Sequence, residues 1–136
     1  MVSVAVVLVT YESAGDLAAC LGSLPAAAGP HELEVVVVDN ASRDASAEIA
    51  RRLGVKVLEN PTNLGLSRAI DIGAAATGAP WLLVVNPDTR LAAASGFRLG
   101  FPRSFLESDH VRGLVFGDTF HRISDHRRRA PAWPTQ

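Results

Sequence analysis

Four short runs rich in valine and leucine alternate with stretches of helical spacing, and this alternation constrains the fold more than any other feature of the sequence. Each run is long enough for one buried strand, and the runs cover residues 2–9, 33–38, 55–58 and 81–85. Strands that alternate with helices over short connections build a parallel sheet with helices on both faces. We therefore predict an α/β sandwich with a Rossmann-like, mainly parallel sheet.

The stretches between the strands carry helix signals. Apolar residues recur every three to four positions across 17–24, and Pro25 is expected to end that helix. Ser42 or Asp44 is the predicted cap of the second helix. An alanine-rich stretch at 65–77 predicts the third. Three helices therefore connect the four predicted strands.

Composition excludes several classes of protein. A chain of 136 residues with a formal net charge of -1 predicts one domain and argues against a nucleic-acid partner. Its single cysteine, Cys20, excludes a disulfide framework and a cysteine-based zinc finger. The longest apolar run, 2–9, is shorter than the roughly 20 residues of a membrane span and lacks the basic flank of a signal peptide. We expect a cytoplasmic protein without a transmembrane segment.

Charge and composition change near residue 91. Residues 1–90 hold six basic and ten acidic side chains, whereas 91–136 hold seven arginines and four acidic side chains. In this second part only 111–116 has the composition of a short strand, and a basic, proline-broken stretch follows at 127–134. We therefore predict an α/β domain over 1–91 and a divergent, partly disordered basic tail over 92–136.

Polar residues follow the carboxyl end of every predicted strand. Each has a simple structural interpretation, such as an Asx turn and helix cap for Asp39 and Asn40 or a packed aromatic for Tyr11. The carboxyl ends of parallel strands nevertheless meet at one edge of a sheet, where ligands bind in open α/β folds. We therefore expect one polar crevice, built from Thr10, Tyr11, Glu12, Asp39, Asn40, Asn63, Gly65, Asn86 and Asp88.

Four strings in this order carry a family resemblance: Val-Thr-Tyr-Glu at 9–12, Val-Val-Val-Val-Asp-Asn-Ala-Ser-Arg-Asp at 35–44, Asn-Leu-Gly at 63–65 and Val-Asn-Pro-Asp-Thr at 85–89. Together they resemble the donor half of an inverting nucleotide-sugar glycosyltransferase of family two. Asn-Pro-Asp-Thr is similar to the metal motif of bacterial rhamnosyltransferase-like members. The resemblance, over residues 1–91, implies the A-type nucleotide-diphospho-sugar transferase fold with an incomplete C-terminal half. It also implies sugar transfer to an acceptor hydroxyl in cell-wall or polysaccharide biosynthesis.

The resemblance also implies roles for the strand-end residues. Tyr11 would stack on the donor's base, Asp39 would accept its ring N–H, and Asp88 would bind Mg²⁺ or Mn²⁺. Asn86 would be a neutral metal ligand or a ribose contact. Arg68 would add positive charge near the phosphates, although an exposed helix arginine is equally consistent. The implied partners are a dTDP- or UDP-sugar and a glycan or lipid-linked acceptor, at the inner face of a membrane.

The sequence departs from the family pattern in two ways. Glu12 and Asp71 stand where the family often has Asn. More seriously, the family's general base, an Asp of a Glu-Asp pair in the acceptor half, has no match, and Asp118 follows only a faintly similar Phe-Gly. The catalytic residue is therefore left unassigned. A tail rich in Arg, His, Pro and Ser without lysine suggests a truncated or frameshifted gene product.

Three other functions were compared with sugar transfer. A non-catalytic nucleotide-sugar binding module would keep Tyr11, Asp39 and Asp88 and lack a base. A receiver-like signalling domain needs an acidic cluster after the first strand and a lysine after a late one, whereas Lys56 is the only lysine here. A dinucleotide-binding domain needs Gly-any-Gly-any-any-Gly after the first strand, which residues 11–15 do not provide. The binding module is therefore the main alternative.

Overall fold

The computed structural model describes residues 3–91, 111–116 and 119–124. The first four strands run parallel, which confirms the predicted fold class. No helix within this described part has the length and apolar character needed to cross a membrane. In chain order the elements are β1 (Ser3–Thr10), α1 (Ala14–Ala28), β2 (Glu32–Asp39), α2 (Ser46–Arg52), β3 (Lys56–Glu59), α3 (Leu66–Ala75), β4 (Trp81–Val85), β5 (Val111–Phe116) and β6 (Thr119–Ser124).

The strands form one sheet in the order β3-β2-β1-β4-β5-β6. From β1 the chain winds outward to β3 and then returns to the other side of β1 as β4. Strand order therefore reverses between β1 and β4. In open α/β sheets a crevice for ligands lies at this point, beyond the carboxyl ends of the two strands.

Helices cover both faces of the sheet, as predicted. Successive residues of β1 point to opposite faces, so that Val6 packs into one apolar cluster and Val7 into the other. The first cluster includes Leu17 of α1 and Ala50 of α2, and the second includes Ile70 of α3. The part of the sheet formed by β1–β4 is therefore covered on both sides, which explains why these strands are continuous runs rich in valine and leucine.

The prediction that Pro25 ends the first helix is wrong, because Pro25 lies inside α1. A proline in a helix interior costs about 3 kcal/mol relative to alanine. The helix nevertheless continues to Ala28, and Leu24, Ala27 and Ala28 are all buried. Packing of this last turn against the sheet outweighs the local preference of proline.

The second part of the sequence extends the sheet. The short strand predicted at 111–116 is confirmed as β5, which pairs in parallel with β4. The strand β6, antiparallel to β5, was not predicted, because Thr119–Ser124 mixes polar and apolar residues without a clear period. The boundary at residue 91 and the disordered tail stay predictions, since 92–110 and 125–136 lie outside the described residues.

α3 packs so closely on the sheet that Gly73 has no room for a side chain. A Cβ there would lie 2.6 Å from Cγ1 of Val7 and 3.0 Å from Cγ2 of Val38. Overpacking costs about 1–3 kcal/mol, and alanine's helix propensity returns about 1 kcal/mol. Because the contact at 2.6 Å is closer than real Cβ atoms approach, we expect Gly73→Ala to lower the free energy of unfolding in urea by up to about 2 kcal/mol.

Gly22 provides the matched control for this substitution. It is exposed in the interior of α1, and a Cβ there meets no atom within 4 Å. Gly22→Ala should therefore raise the free energy of unfolding by about 0.5–1 kcal/mol. Equal stabilisation by both substitutions would show that α3 lies farther from the sheet than described.

Candidate functional site

A cleft of about 540 Å³ opens at the carboxyl edge of β1–β4. Seven of the ten residues predicted for the donor site line it, from all four strand ends. Of the other three, Thr10 and Asp39 are buried at the ends of β1 and β2, and Arg68 is exposed on α3 outside the lining. The predicted residues that line the cleft are Tyr11, Glu12, Asn40, Asn63, Gly65, Asn86 and Asp88.

Asp39 is a buried carboxylate that holds the ends of two strands together. Its Oδ1 accepts hydrogen bonds from Oγ1 of Thr10 and Oγ of Ser42, both at 2.7 Å, and its Oδ2 accepts the Ser42 N–H at 2.9 Å. The residue is only 2% exposed. The structural interpretation from the sequence holds only in part, because Asp39 accepts the amide three residues on and neither Asp39 nor Asn40 caps α2, whose N-cap is Ala45. The recognition of a base N–H by Asp39 stays a prediction.

The loop after β1 takes its shape from the loop after β2. Three consecutive backbone N–H groups at the start of α1 donate hydrogen bonds to side chains of the loop after β2. Without these acceptors the groups would be unpaired, as the first amides of a helix usually are. One bond returns, from the Arg43 N–H to Oε1 of Glu12 at 2.5 Å. The three crossing bonds are Glu12 N–H to Oγ of Ser42 (3.0 Å), Ser13 N–H to Oγ of Ser46 (2.9 Å) and Ala14 N–H to Oδ2 of Asp44 (3.0 Å).

Asp44 bonds the first residues of two helices at once, since its Oδ1 also accepts the Ser46 N–H at 3.0 Å. The prediction that Ser42 or Asp44 is the cap of α2 is nevertheless wrong, because Ala45 occupies the N-cap position. The Ser46 hydroxyl, followed by the Ala14 and Ser46 amides, holds the pKa of the Asp44 carboxyl below its ordinary value of 3.8. The unfolded chain therefore takes up this proton first as the pH falls. The stabilisation is complete above the unfolded-state pKa, about 4, and is lost as the pH falls toward the folded-state pKa.

We expect Asp44→Asn to reduce the loss of stability between pH 6 and pH 3, because the variant has no carboxyl to protonate at this position. The measurement is the urea midpoint of unfolding at both pH values. Asp71→Asn, which neutralises an exposed carboxylate of α3, is the control. An identical pH dependence in the wild type and Asp44→Asn would contradict the assigned role.

Two residues of the facing loops adopt left-handed backbone conformations. Glu12 has φ 52° and Ala41 has φ 62°, each two residues past the end of its strand. Asparagine adopts this conformation more readily than other non-glycine residues, so an asparagine at position 12 would suit the backbone better than Glu12 does. The Glu12 carboxylate accepts the Arg43 N–H, which ties this conformation to the loop after β2.

Asn40 fixes the loop that leads into α3. Its Nδ2 donates to the Gly65 carbonyl at 3.2 Å, and its Oδ1 accepts Nδ2 of Asn60 at 2.8 Å. Within the loop, Oδ1 of Asn63 accepts the Gly65 N–H at 2.9 Å. Gly65 itself has φ 82°, which favours glycine. The Asn-Leu-Gly string is thereby held against the end of β2.

The residues after β4 form the other side of the cleft. The Asn86 carbonyl accepts the Cys20 thiol at 3.6 Å, which ties this turn to α1. Burial, together with Asp88 and Asp16, raises the pKa of that thiol, and Arg90 opposes the shift. Arg90 lies 3.5 Å from Asp16, another cleft residue. These charges therefore surround the β4 side of the cleft.

The charged residues that line the cleft, Glu12, Asp16 and Asp88, are all acidic. An anionic ligand therefore requires a cation to offset this charge. Among the described residues, no group of three or more His, Cys, Asp or Glu side chains could hold a metal ion. The Asp88 carboxylate and the Asn86 amide oxygen are donors that Mg²⁺ and Mn²⁺ accept, so the residues fit such an ion as part of its shell.

Sequence reasoning missed several lining residues: Val9, Ser13, Asp16, Leu66 and Pro87. The spacing of Leu66, three and four residues before the buried Ala69 and Ile70 of α3, predicts a core residue and gave no sign of its place in the cleft. Asp16 carried no signal beyond its place in the first turn of α1. Its position in the cleft depends on how that helix packs.

Comparison with known proteins identifies one family. The profile of the family described as Glycosyl transferase family 2 matches residues 5–94. No curated protein sequence matches the chain.

Solved structures with this fold include S. aureus TarS 1–349 at 26% identity and TM-score 0.59, covering 65% of this chain and 28% of that one. A TarS 1–349 complex with UDP is 28% identical with TM-score 0.58, covering 63% of this chain and 27% of that one. Mannosyltransferase PcManGT from Pyrobaculum calidifontis, solved with GDP-Man and Mn²⁺, is 24% identical with TM-score 0.62, covering 66% and 28%. The chain therefore spans about 28% of the length of these proteins.

Proposed function

Because the chain belongs to glycosyl transferase family 2, we propose that it binds a nucleotide-diphospho-sugar in the cleft at the carboxyl edge of β1–β4 and transfers the sugar to an acceptor hydroxyl. The observation that carries this proposal is the convergence of seven predicted donor residues on one cleft at the point where strand order reverses. TarS, solved with UDP and with UDP-GlcNAc at 28% and 26% identity, supports a uridine donor.

The sheet order divides the cleft into two parts. Tyr11, beyond β1, provides an exposed aromatic ring for the nucleoside, and the Asp39 carboxylate beneath the cleft is the acceptor of the base N–H. Asn40, whose amide is bonded to Gly65 and Asn60, shapes this side of the cleft. Asn86 and Asp88, beyond β4, face the diphosphate. Arg68 is exposed on α3, outside the cleft lining, and adds positive charge only at longer range.

The acidic lining supports a requirement for a divalent cation at the diphosphate. Asp88 would hold Mg²⁺ or Mn²⁺ through its carboxylate and Asn86 through its amide oxygen, with donor oxygens completing the shell. When bound, such an ion acts as a Lewis acid that stabilises charge on the departing nucleoside diphosphate. Cys20, through its bond to the Asn86 carbonyl, keeps the turn that carries both ligands against α1.

The same proposal also covers the sugar donor and the acceptor of the reaction. The Asn-Pro-Asp-Thr string at 86–89 supports a rhamnosyltransferase-like enzyme that uses a dTDP- or UDP-sugar. The acceptor would be a glycan or lipid-linked saccharide of cell-wall or polysaccharide biosynthesis, reached in the cytoplasm at the inner face of a membrane. The general base is not among the residues assigned here.

Each carboxylate in the described lining of the cleft already has a partner or an assigned role. This favours a second function, a non-catalytic nucleotide-sugar binding module. Among the described lining residues, Glu12 accepts the Arg43 amide, Asp16 pairs with Arg90 and Asp88 is assigned to the metal. None of these three is left to deprotonate an acceptor hydroxyl. A base from outside the described residues, such as Asp109, Asp118 or Asp125, would restore transfer.

Calorimetric titration of the full chain tests the proposal. UDP-GlcNAc, a dTDP-sugar and GDP-mannose are titrated with Mn²⁺ and, in parallel, with EDTA. We expect a pyrimidine donor to bind with Mn²⁺ and to lose affinity in EDTA, with GDP-mannose weaker. A chain that binds none of them with Mn²⁺ contradicts the proposal. Transfer to an added acceptor separates an enzyme from a binding module.

A further inference from the structure

Leu66 is an exposed leucine in a place where the sequence pattern calls for a buried one. It lies at the start of α3, three, four and seven residues before Ala69, Ile70 and Gly73, and these three are buried against the sheet. Residues at this spacing share one helix face. Leu66 is nevertheless 52% exposed, and it lines the cleft. The core-facing stripe of α3 therefore continues past the sheet edge and opens on the cleft.

The backbone before Leu66 is anchored. The buried Asn40 bonds the Gly65 carbonyl, and Asn63 bonds the Gly65 N–H. The leucine therefore stands at a fixed place beside the cleft. The described residues include three large hydrophobic side chains that are exposed, Tyr11, Leu53 and Leu66, and two of these line the same cleft. An apolar pair held in one polar cleft indicates a ligand with an apolar part.

We propose that Leu66 is a specificity-determining residue that packs, together with Tyr11, against the nucleoside of the donor. This inference rests on the proposed function and adds a residue to the site. Leu66 follows Gly65, whose carbonyl is bonded by Asn40 at the end of β2. Asp88 follows β4, two strand positions from β2 and about 10 Å across the sheet at the usual strand spacing. A diphosphate at Asp88 therefore leaves the base and ribose, and not the transferred sugar, on the Leu66 side.

The matched control is Leu53, which is 50% exposed and does not line the cleft. UDP is titrated with Mn²⁺ into the wild type, Leu66→Ala, Leu53→Ala and Leu66→Met. We expect Leu66→Ala to weaken UDP binding about five- to tenfold, since it removes apolar area that the nucleoside covers. Leu53→Ala should bind as the wild type does, and Leu66→Met, which keeps the apolar area, should lie within about twofold.

Inorganic pyrophosphate with Mn²⁺ is the second probe, because it has the diphosphate without the nucleoside. Its affinity should be the same in the wild type and Leu66→Ala. An equal loss for pyrophosphate and UDP, or an equal loss in Leu53→Ala, overturns the inference, as does unchanged UDP affinity in Leu66→Ala. This last result leaves the proposed function standing. If the wild type binds the dTDP-sugar and not UDP, the same series is run with dTDP; if it binds no nucleotide with Mn²⁺, the proposed function fails and the inference with it.

Discussion

Asp88→Asn is expected to remove the coupling between metal and donor in the cleft. In the wild type, Mn²⁺ should strengthen UDP binding, and UDP should strengthen Mn²⁺ binding by the same factor, because the two effects are thermodynamically linked. Coupling of this kind is typically about 5- to 150-fold. Asp88 is the only carboxylate in the Asn-Pro-Asp string, so its loss leaves the ion neutral protein ligands alone. Calorimetric titrations of UDP with and without Mn²⁺ measure the factor, which should fall close to one.

Asp16→Asn is the control, since it removes the same charge from the same cleft. Asp16 pairs with Arg90 and is not part of the assigned metal ligands. This variant should keep most of the coupling, even if its general affinity for anions rises. UDP binding that responds neither to Mn²⁺ nor to Asp88→Asn would refute the metal assignment.

Asp39→Ala is expected to weaken nucleotide binding about ten- to a hundredfold, through the loss of a charged hydrogen-bond partner worth about 1.5–3 kcal/mol. The structure adds a second effect. The substitution leaves the buried Thr10 hydroxyl and the Ser42 donors without their acceptor. We therefore also expect the free energy of unfolding to fall by about 3 kcal/mol. Affinity must be measured well below the melting temperature of the variant.

Ser42→Ala separates these two effects. It removes the hydroxyl bonds that join Asp39 and Glu12 to this loop and leaves the Asp39 carboxylate in place. If Asp39 recognises the base, Asp39→Ala should weaken UDP binding well beyond Ser42→Ala. Equal losses would show that Asp39 acts through the loop, and wild-type affinity in Asp39→Ala would exclude any role in binding.

The strands were predictable because a sheet buried on both faces requires continuous apolar runs, and such runs leave a clear trace in the sequence. The observed strands begin and end within one residue of the predicted 2–9, 33–38, 55–58 and 81–85. Pro25 was misjudged because its local preference is outweighed by burial of the turn around it. β6 was missed because its residues show no clear period of their own, although it pairs antiparallel with β5, which ends only three residues before β6 begins.

The convergence of the site was also predictable, since parallel strands bring their carboxyl ends to one edge. Which of these side chains are buried and which line the cleft was not predictable from the sequence. Asp39 and Asn40 are both only 2% exposed, yet Asn40 lines the cleft and Asp39 does not. Bonds from Thr10 and Ser42 hold Asp39 between the strand ends, whereas the Asn40 amide is bonded to the loop before α3. The exposure of Leu66 likewise depends on where the sheet ends beneath α3.

The hydrogen bonds that cross between the loop after β1 and the loop after β2 determine which segments of such proteins must change together. Glu12, Ser13 and Ala14 depend for their pairing on side chains about thirty positions later in the chain. If residues 11–14 alone were transferred to another protein, their amides would lack the acceptor side chains, which belong to the loop after β2 of the original chain. The exchangeable module is therefore discontinuous, and it consists of 11–14 together with 39–46.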